Sequence, residues 1–230
     1  GFFSATFFIG LEMNNQFFNG DWNSPLMYLG YLGLFLGIMY TGFLKLAYNG
    51  LGDLAVFIGF GPLMVYGAAF MQNQAVAPTQ TIDPVATLLY SVPVGIFIAL
   101  VLFINCFQDY NADKAANKNS WVVKLAGPSD KANYRKPFAV WRNLMIISFL
   151  LICAASFYAG NYFTLIALLP LAIFNFANKK GMSWLTEWEK EDANLQQLPY
   201  ELLIVNVSTI GIHFLTGILL TIGVLLSIWI

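Results

Sequence analysis

Apolar runs close to 20 residues long recur along this chain of 230 residues, and they constrain its fold more than any other feature. A helix needs about 20 apolar residues to cross the hydrocarbon core of a bilayer. Charged residues make up only 10% of the chain, whereas soluble domains carry about a quarter. The sequence therefore predicts one all-α domain over residues 1–230, a multi-pass transmembrane helical bundle, and no nucleic-acid partner.

The boundaries of these runs divide the chain into seven predicted spanning segments. Two of the segments begin with a capping residue followed by proline, Ser24-Pro25 and Asp83-Pro84, a pair typical of a helix start. The first segment is the weakest because polar residues interrupt it. The predicted segments are residues 2–18, 25–43, 53–71, 84–105, 138–158, 162–176 and 202–230.

The distribution of positive charge supports this helix count. All 11 Lys and Arg residues lie at Lys45, within 114–142 or within 179–190, which are alternate connections of the seven-helix drawing plus the entry of the fifth helix. The positive-inside rule makes these connections cytoplasmic and the carboxyl terminus external. We therefore expect a multi-pass protein of the cell inner membrane with a cytoplasmic active face. Residues 184–198 are predicted to form an interfacial amphipathic helix.

Asn105, Asp109 and Asp113 follow the fourth apolar run at four-residue spacing. On a continuous helix they would share one face. Magnesium prefers oxygen ligands and is commonly held by one or two carboxylates together with substrate phosphates. Such a spacing also occurs among solvated charges at a helix end, so the spacing alone leaves both interpretations open. Three lysines follow and would supply cationic donors for a polyanion: Lys114, Lys118 and Lys124.

The stretch NCFQDYNADKAANKNSWVVKLAG, residues 105–127, resembles the second aspartate motif of the UbiA superfamily of intramembrane aromatic prenyltransferases. The stretch YTGFLKLAYNGLGDLAVFIGFGPL, residues 40–63, is similar to the corresponding loop of the 1,4-dihydroxy-2-naphthoate branch. The resemblance extends from about residue 24 to the end. Asn117 departs from the family pattern, since it stands where the family usually has glycine.

The resemblance implies the fold, the reaction and the site. The fold would be a nine-helix bundle, and Mg²⁺ held by Asp109 and Asp113, the catalytic residues, would bind a polyprenyl diphosphate whose carbon–oxygen bond ionises to an allylic cation. An aromatic acceptor would then attack inside an apolar chamber that opens to membrane lipid. The residues implied to bind substrate are Asn105, Lys114, Lys118, Lys45, Tyr48 and Asp53. Read from the residues alone, Lys45 could equally be a membrane anchor and Asp53 a helix cap.

Several other polar or reactive residues have simpler interpretations. Asn206, Thr209, His213 and Thr216 form one stripe on the last segment, and such stripes join membrane helices by hydrogen bonds. We assign no role to His213, and Arg142 is interpreted as an interfacial anchor. The two cysteines, Cys106 and Cys153, are expected to be buried and not to form a disulfide.

Alternatives remain for the function. The acceptor could be 4-hydroxybenzoate, homogentisate, a tetrapyrrole or a glycerol phosphate lipid, or the chain could be a non-catalytic structural or lipid-binding subunit of a membrane complex. The family also carries an earlier acidic motif near the end of its second helix, and the nearest candidate, residues 14–21, has the wrong spacing. We therefore expect the first two helices to be missing and the natural protein to be longer by about 80–100 residues, at about 20 per spanning helix plus connections.

Overall fold

The structure is a computed structural model, and it describes residues 19–20, 22–76, 83–127, 131–194 and 197–229. Within these residues the elements are helices joined by turns, with no strand among them. The first predicted segment, residues 2–18, lies outside the described residues, as does most of the candidate acidic motif at 14–21. We number the helices α1 (Pro25–Thr41), α2 (Gly52–Ile58), α3 (Met64–Val76), α4 (Pro84–Asn105), α5 (Tyr110–Ala115), α6 (Trp121–Ala126), α7 (Arg135–Tyr158), α8 (Leu171–Trp188), α9 (Leu198–Glu201) and α10 (Leu203–Trp229).

Two helices begin where capping predicted. The Ser24 hydroxyl accepts a hydrogen bond from the Met27 amide at 3.3 Å, and a proline occupies the start of α1. The Asp83 carboxylate accepts from the Val85 amide at 2.8 Å at the start of α4. Each cap satisfies backbone amides that have no partner within the helix, so both predicted helix starts are confirmed.

Five stretches are long and apolar enough to cross a membrane: Gly52–Asn73, Pro84–Asn105, Arg135–Tyr158, Tyr162–Trp188 and Leu198–Ser227. Helix α1 is a shorter apolar helix. Helices thus occupy the six predicted positions that fall within the described part of the chain. The chain is an integral membrane helical bundle.

Two details of the prediction at residues 162–198 were wrong. The segment predicted to end at residue 176 begins with a 3-10 turn (Tyr162–Leu168) and then continues as α8 to Trp188. Residues 189–194 are not helical, so no separate amphipathic helix covers 184–198. The reason is packing. The apolar face of α8 extends to Trp184 and Trp188, and because both side chains are buried in the core, the helix continues to Trp188.

Helix α4 packs against α2, α7 and α10 and against the π-helical turn Gly59–Leu63 that joins α2 to α3. At this turn a Cβ built on Gly61 would lie 2.6 Å from the Cα of Gly95 in α4. Only glycine on both sides allows the two backbones to come this close. The contact sets the distance between α2, which carries Asp53, and α4, which carries Asn105.

An aromatic cluster holds the long connection between α4 and α7. The ring of Tyr134 stacks on Phe107 and lies 4.8 Å from that of Trp188. Its hydroxyl donates to the Phe107 carbonyl at 3.0 Å, and the Tyr110 hydroxyl donates to the Gly127 carbonyl at 2.7 Å. Burial raises the pKa of the Tyr134 hydroxyl, which therefore stays a neutral donor. The cluster fixes the segment that contains the aspartate motif.

Candidate active site at the end of helix α4

Helix α4 ends at Asn105, and the chain turns through residues 106–109 before the short helix α5. Asn105, Asp109 and Asp113 therefore do not lie on one continuous helix. Four-residue backbone hydrogen bonds persist across the turn, from the Asp109 amide to the Asn105 carbonyl at 3.3 Å and from the Asp113 amide to the Asp109 carbonyl at 2.7 Å. The turn nevertheless separates the environments of the two carboxylates, because Asp109 is exposed and Asp113 is buried.

Asp113 forms an ion pair with Lys118. The lysine Nζ lies 3.0 Å from Asp113 Oδ1, and the Lys118 amide donates to the Asp113 carbonyl at 2.8 Å. Burial lowers the pKa of Lys118, but its hydrogen bond to Asp113 and the negative charge there outweigh burial and raise the pKa above its ordinary value. Lys118 is thus a charged group held at a defined position.

Asn117 lies in the turn between Asp113 and Lys118. It has a φ of 54°, in the left-handed region that glycine and asparagine tolerate best. The family usually has glycine at this position, and asparagine meets the same backbone requirement. The departure from the family pattern is therefore conservative in its effect on the fold.

The loop at residues 42–51 docks onto the segment that follows the motif. The Asn119 amide donates to the Tyr48 carbonyl at 2.8 Å, and the Trp121 indole donates to the Gly50 carbonyl at 2.6 Å. Lys124 Nζ donates to the Asn49 carbonyl at 3.0 Å. Gly50 has a φ of 76°, and a Cβ there would lie 2.6 Å from the Asn119 carbonyl oxygen. The two stretches that carry the family resemblance therefore form one unit.

Asp53 enters this unit from α2. Only 8% of the residue is exposed, and its carboxyl group interacts electrostatically with Lys118 and Asp113. Leu51, not Asp53, is the N-cap of α2, so the cap interpretation of Asp53 is wrong. Among the described residues, neither Asp53 Oδ1 nor Asp113 Oδ2 has a hydrogen-bond partner. Buried acceptors rarely lack a hydrogen-bond partner, and those that do are candidates for ligand binding.

The remaining predicted residues have different environments. Lys45, with a φ of 45°, and Tyr48 are exposed in the 42–51 loop. The Lys114 ammonium lies 5.8 Å from the centre of the Tyr110 ring. Asn105 Oδ1 accepts a hydrogen bond from Asn206 Nδ2 of α10 at 2.8 Å.

The polar stripe of α10 joins helices, as predicted, at two of its four residues. Asn206 reaches Asn105, and the Thr209 hydroxyl accepts from the Trp141 indole of α7 at 3.2 Å. Thr216 is buried, and its hydroxyl has no partner among the described residues. His213 is half-buried.

Two site neighbours escaped the sequence analysis. Tyr40, at the end of α1, interacts electrostatically with Asp53 and Lys118. Cys106 is buried beside Asp53 and Asp113, and burial followed by these two negative charges raises the pKa of its thiol to about 12. Each of them lies within a stretch that carries the resemblance, and this position was the available signal. Cys106 and Cys153 are both free, and Cys153 is half-buried.

Two apolar cavities adjoin the charged cluster that Asp53, Asp113 and Lys118 form. The larger, of about 630 Å³, lies between α1 and the α2–α3 helix and extends from Leu26 to Tyr40. The smaller, of about 200 Å³, is lined by residues of α2, α4, α6 and α7, among them Asp53 and Trp121. The charged cluster is therefore adjacent to space that suits apolar ligands.

The donor set suits magnesium. In the described part of the chain no three His, Cys, Asp or Glu side chains come together as a metal-binding group. Asp109 and Asp113 offer oxygen ligands only, and Asp113 Oδ2 is buried without a hydrogen-bond partner there. An ion held by one or two carboxylates and completed by phosphate and water oxygens is typical of magnesium. The oxygen donors of these two residues are compatible with that ion.

The sequence profile of the UbiA prenyltransferase family matches residues 3–195 of the chain. The chain belongs to the UbiA prenyltransferase family. The match includes both stretches that form the cluster, while α9 and α10, from Leu198 onward, lie outside it. No solved structure gives a significant match to this UbiA-family chain.

Curated relatives carry related names. The 2-carboxy-1,4-naphthoquinone phytyltransferase of Synechocystis sp. is 38% identical over 46% of this chain and 32% of its own length. The 1,4-dihydroxy-2-naphthoate octaprenyltransferase of Escherichia coli is 36% identical over 42% of this chain and 30% of its own length. UbiA prenyltransferase domain-containing protein 1 of Dictyostelium discoideum is 28% identical over 66% of this chain and 44% of its own length. The chain thus spans less than half the length of each of these three relatives.

Proposed function

We propose that this protein transfers a polyprenyl group from an allylic isoprenyl diphosphate to an aromatic acceptor, 1,4-dihydroxy-2-naphthoate, in quinone biosynthesis. In this reaction the carbon–oxygen bond of the diphosphate breaks and a carbon–carbon bond to the ring forms. The proton or carboxyl group on the attacked ring carbon leaves. The names of the Synechocystis and Escherichia coli relatives support the choice of acceptor.

The observation that carries the proposal is the partly buried Asp113–Lys118 pair at the junction of the two family stretches. Lys118 is charged, held in place and one-quarter exposed, so it can donate to a diphosphate that arrives from outside. Asp109 and Asp113 would hold Mg²⁺, which when bound neutralises charge on the departing diphosphate. Asn117 and Gly50 supply the left-handed backbone positions that bring these groups together.

The larger cavity suits the isoprenoid chain. It begins at Tyr40, beside the charged cluster, and follows α1 to Leu26. The fourteen residue steps from Leu26 to Tyr40 span about 21 Å of helix at 1.5 Å per step. Its walls are apolar and glycine-rich, including Gly33 and Gly37, so a flexible hydrocarbon chain can lie against the helix backbone. The basic connections lie at the same end of the bundle as the charged cluster. By the positive-inside rule this end would face the cytoplasm of the cell, so the reaction would take place at the cytoplasmic face of the inner membrane.

The test is prenyl transfer by the full-length protein in lipid nanodiscs, with the diphosphate, 1,4-dihydroxy-2-naphthoate and Mg²⁺. We expect Asp109→Asn and Asp113→Asn each to lower kcat by roughly 100-fold or more, the scale of losing one electrostatic stabiliser. Asp192→Asn is the matched control, because Asp192 is an exposed carboxylate away from the site. Near-normal turnover by Asp113→Asn, or full activity in excess chelator, would refute the assignment.

The same assay addresses the alternative of a non-catalytic subunit. A folded, full-length protein that transfers no prenyl group to any of the candidate aromatic acceptors would favour that alternative. Transfer to 4-hydroxybenzoate, homogentisate or a tetrapyrrole in place of the naphthoate would keep the reaction and correct the acceptor.

A further inference from the structure

The smaller cavity differs from the larger one in carrying a single carboxyl group in an otherwise apolar wall. Its volume is about 200 Å³, and Asp53, Phe57, Phe103, Trp121 and Leu144 are among the residues that line it. We call it the Asp53 cavity. Three of these side chains are aromatic, so the cavity offers edges and faces to another ring.

Asp53 provides an unused hydrogen-bond acceptor at this wall. The residue is more than nine-tenths buried. Its carboxyl group interacts with the backbone amides of Asp53 and Trp121, while its Oδ1 has no hydrogen-bond partner among the described residues. A buried acceptor that protein groups leave unsatisfied can be satisfied by a donor on a ligand. The cavity therefore combines the shape of an apolar ring site with one fixed polar anchor.

The size of the cavity selects among the substrates. A dry apolar cavity of roughly 150 Å³ is enough to hold benzene, so about 200 Å³ has room for an aromatic nucleus but not for a polyprenyl chain. A diphosphate is also excluded, because no basic side chain lines the cavity. A ring carboxylate would be repelled by Asp53, whereas a ring hydroxyl could donate to it.

We propose that the Asp53 cavity binds the hydroxylated ring of the aromatic acceptor, with Asp53 Oδ1 accepting a hydrogen bond from a ring hydroxyl. This inference rests on the prenyl transfer proposed above. Asp53 also interacts electrostatically with Lys118 and Asp113, so the acceptor ring lies beside the position of the diphosphate. Any carboxylate on the ring points away from Asp53.

The test compares two ring ligands that differ by one hydroxyl remote from the carboxylate, 4-hydroxy-2-naphthoate and 2-naphthoate. Equilibrium dialysis of the radiolabelled compounds against the full-length protein in nanodiscs measures their Kd without requiring turnover. The wild-type protein should bind the hydroxylated compound roughly tenfold more tightly, the value of one hydrogen bond to a buried charged group. Asp53→Leu should bind the two compounds equally. Discrimination that persists in Asp53→Leu would overturn the proposal.

A second variant guards against misfolding of Asp53→Leu. Ala99 also lines the cavity, and Ala99→Phe should fill it and raise KM for the acceptor roughly tenfold or more without changing KM for the diphosphate. Ala154→Phe is the matched control, because Ala154 is exposed on α7. An unchanged acceptor KM in Ala99→Phe would overturn the proposal.

The two proposals can fail separately. Absence of prenyl transfer in the wild type refutes the proposed function, whereas the dialysis still reports whether the cavity binds hydroxylated rings. Normal transfer with no effect of Asp53→Leu or Ala99→Phe refutes only the placement of the acceptor.

Discussion

Separating Asp113 from Lys118 should destabilise the protein and inactivate it. Their charged atoms are 3.0 Å apart, which corresponds to about 5 kcal/mol of attraction at an effective dielectric constant of about 20. The net contribution is smaller, because the Lys118 side chain retains 26% exposure and both groups lose hydration. We expect Lys118→Met or Asp113→Asn to lower the free energy of unfolding by about 2 kcal/mol, and the coupling energy of the pair to be about 1–2 kcal/mol.

A double-mutant cycle measures this coupling. Unfolding of the wild type, the two single variants and the double variant would be followed by denaturant titration in detergent micelles. The control pair is Glu187 and Lys190, whose side chains are each 52% exposed and three residues apart on the surface. Its coupling should be too small to detect, because exposed ion pairs are screened by water and salt.

The same four proteins give a functional readout. Lys118→Met should reduce kcat by more than its loss of stability explains, since it removes a donor to the diphosphate as well as a partner of Asp113. A coupling energy below about 0.3 kcal/mol would show that the two groups do not interact in the folded protein. In that case the account of how Lys118 is held would be wrong.

Three further outcomes are expected. Gly61→Ala should destabilise the protein by about 2 kcal/mol, measured as above, because its Cβ would meet the backbone of α4, whereas Gly59→Ala, with nothing within 4 Å, should be neutral or stabilising. The Cys106 thiol should resist iodoacetamide in the folded protein at pH 8, because its raised pKa of about 12 keeps it protonated; rapid alkylation there would contradict the burial. A cysteine placed at Lys118 should be labelled only from the cytoplasmic side and one at Asn73 only from the opposite side; labelling of both from one side would break the helix count.

The parts of the fold that the sequence predicted are those determined by local chemistry. Apolar length and the caps at Ser24 and Asp83 located helix starts correctly, because each signal acts within a few residues. The end of α8 was misplaced because Trp184 and Trp188 are buried by tertiary packing that polar neighbours in the sequence conceal. Lysines at residues 179–180 suggested a helix end in water, yet the helix continues past them.

In the candidate site, too, the sequence predicted what local signals determine and missed what depends on tertiary contacts. The aspartate spacing and the family resemblance identified Asp113 and Lys118, which the structure joins in one ion pair. Their proximity to Asp53, 60 residues earlier, could not be derived from spacing, because it depends on the close contact of the π-helical turn with α4 and on the docking of the 42–51 loop. The break of the helix after Asn105 was likewise hidden, since a four-residue spacing fits both a continuous helix and a turn that retains four-residue hydrogen bonds.

Helix α10 holds Asn105, the first residue of the aspartate motif, in place. This helix lies beyond the part of the chain that matches the family profile. Asn206 of α10 donates to Asn105 at 2.8 Å across 101 residues of sequence. Asn206→Leu would leave Asn105 Oδ1 without this donor, so we expect a loss of about 1 kcal/mol in the free energy of unfolding, the usual range for hydrogen bonds between membrane helices. Activity should fall further, because the turn that begins at Asn105 orients Asp109. Thr221→Leu is the control, since the Thr221 hydroxyl bonds only to Gly217 of its own helix among the described residues. If both variants retain full activity and stability, α10 does not position the motif, and the site is organised by α4 and the 42–51 loop alone.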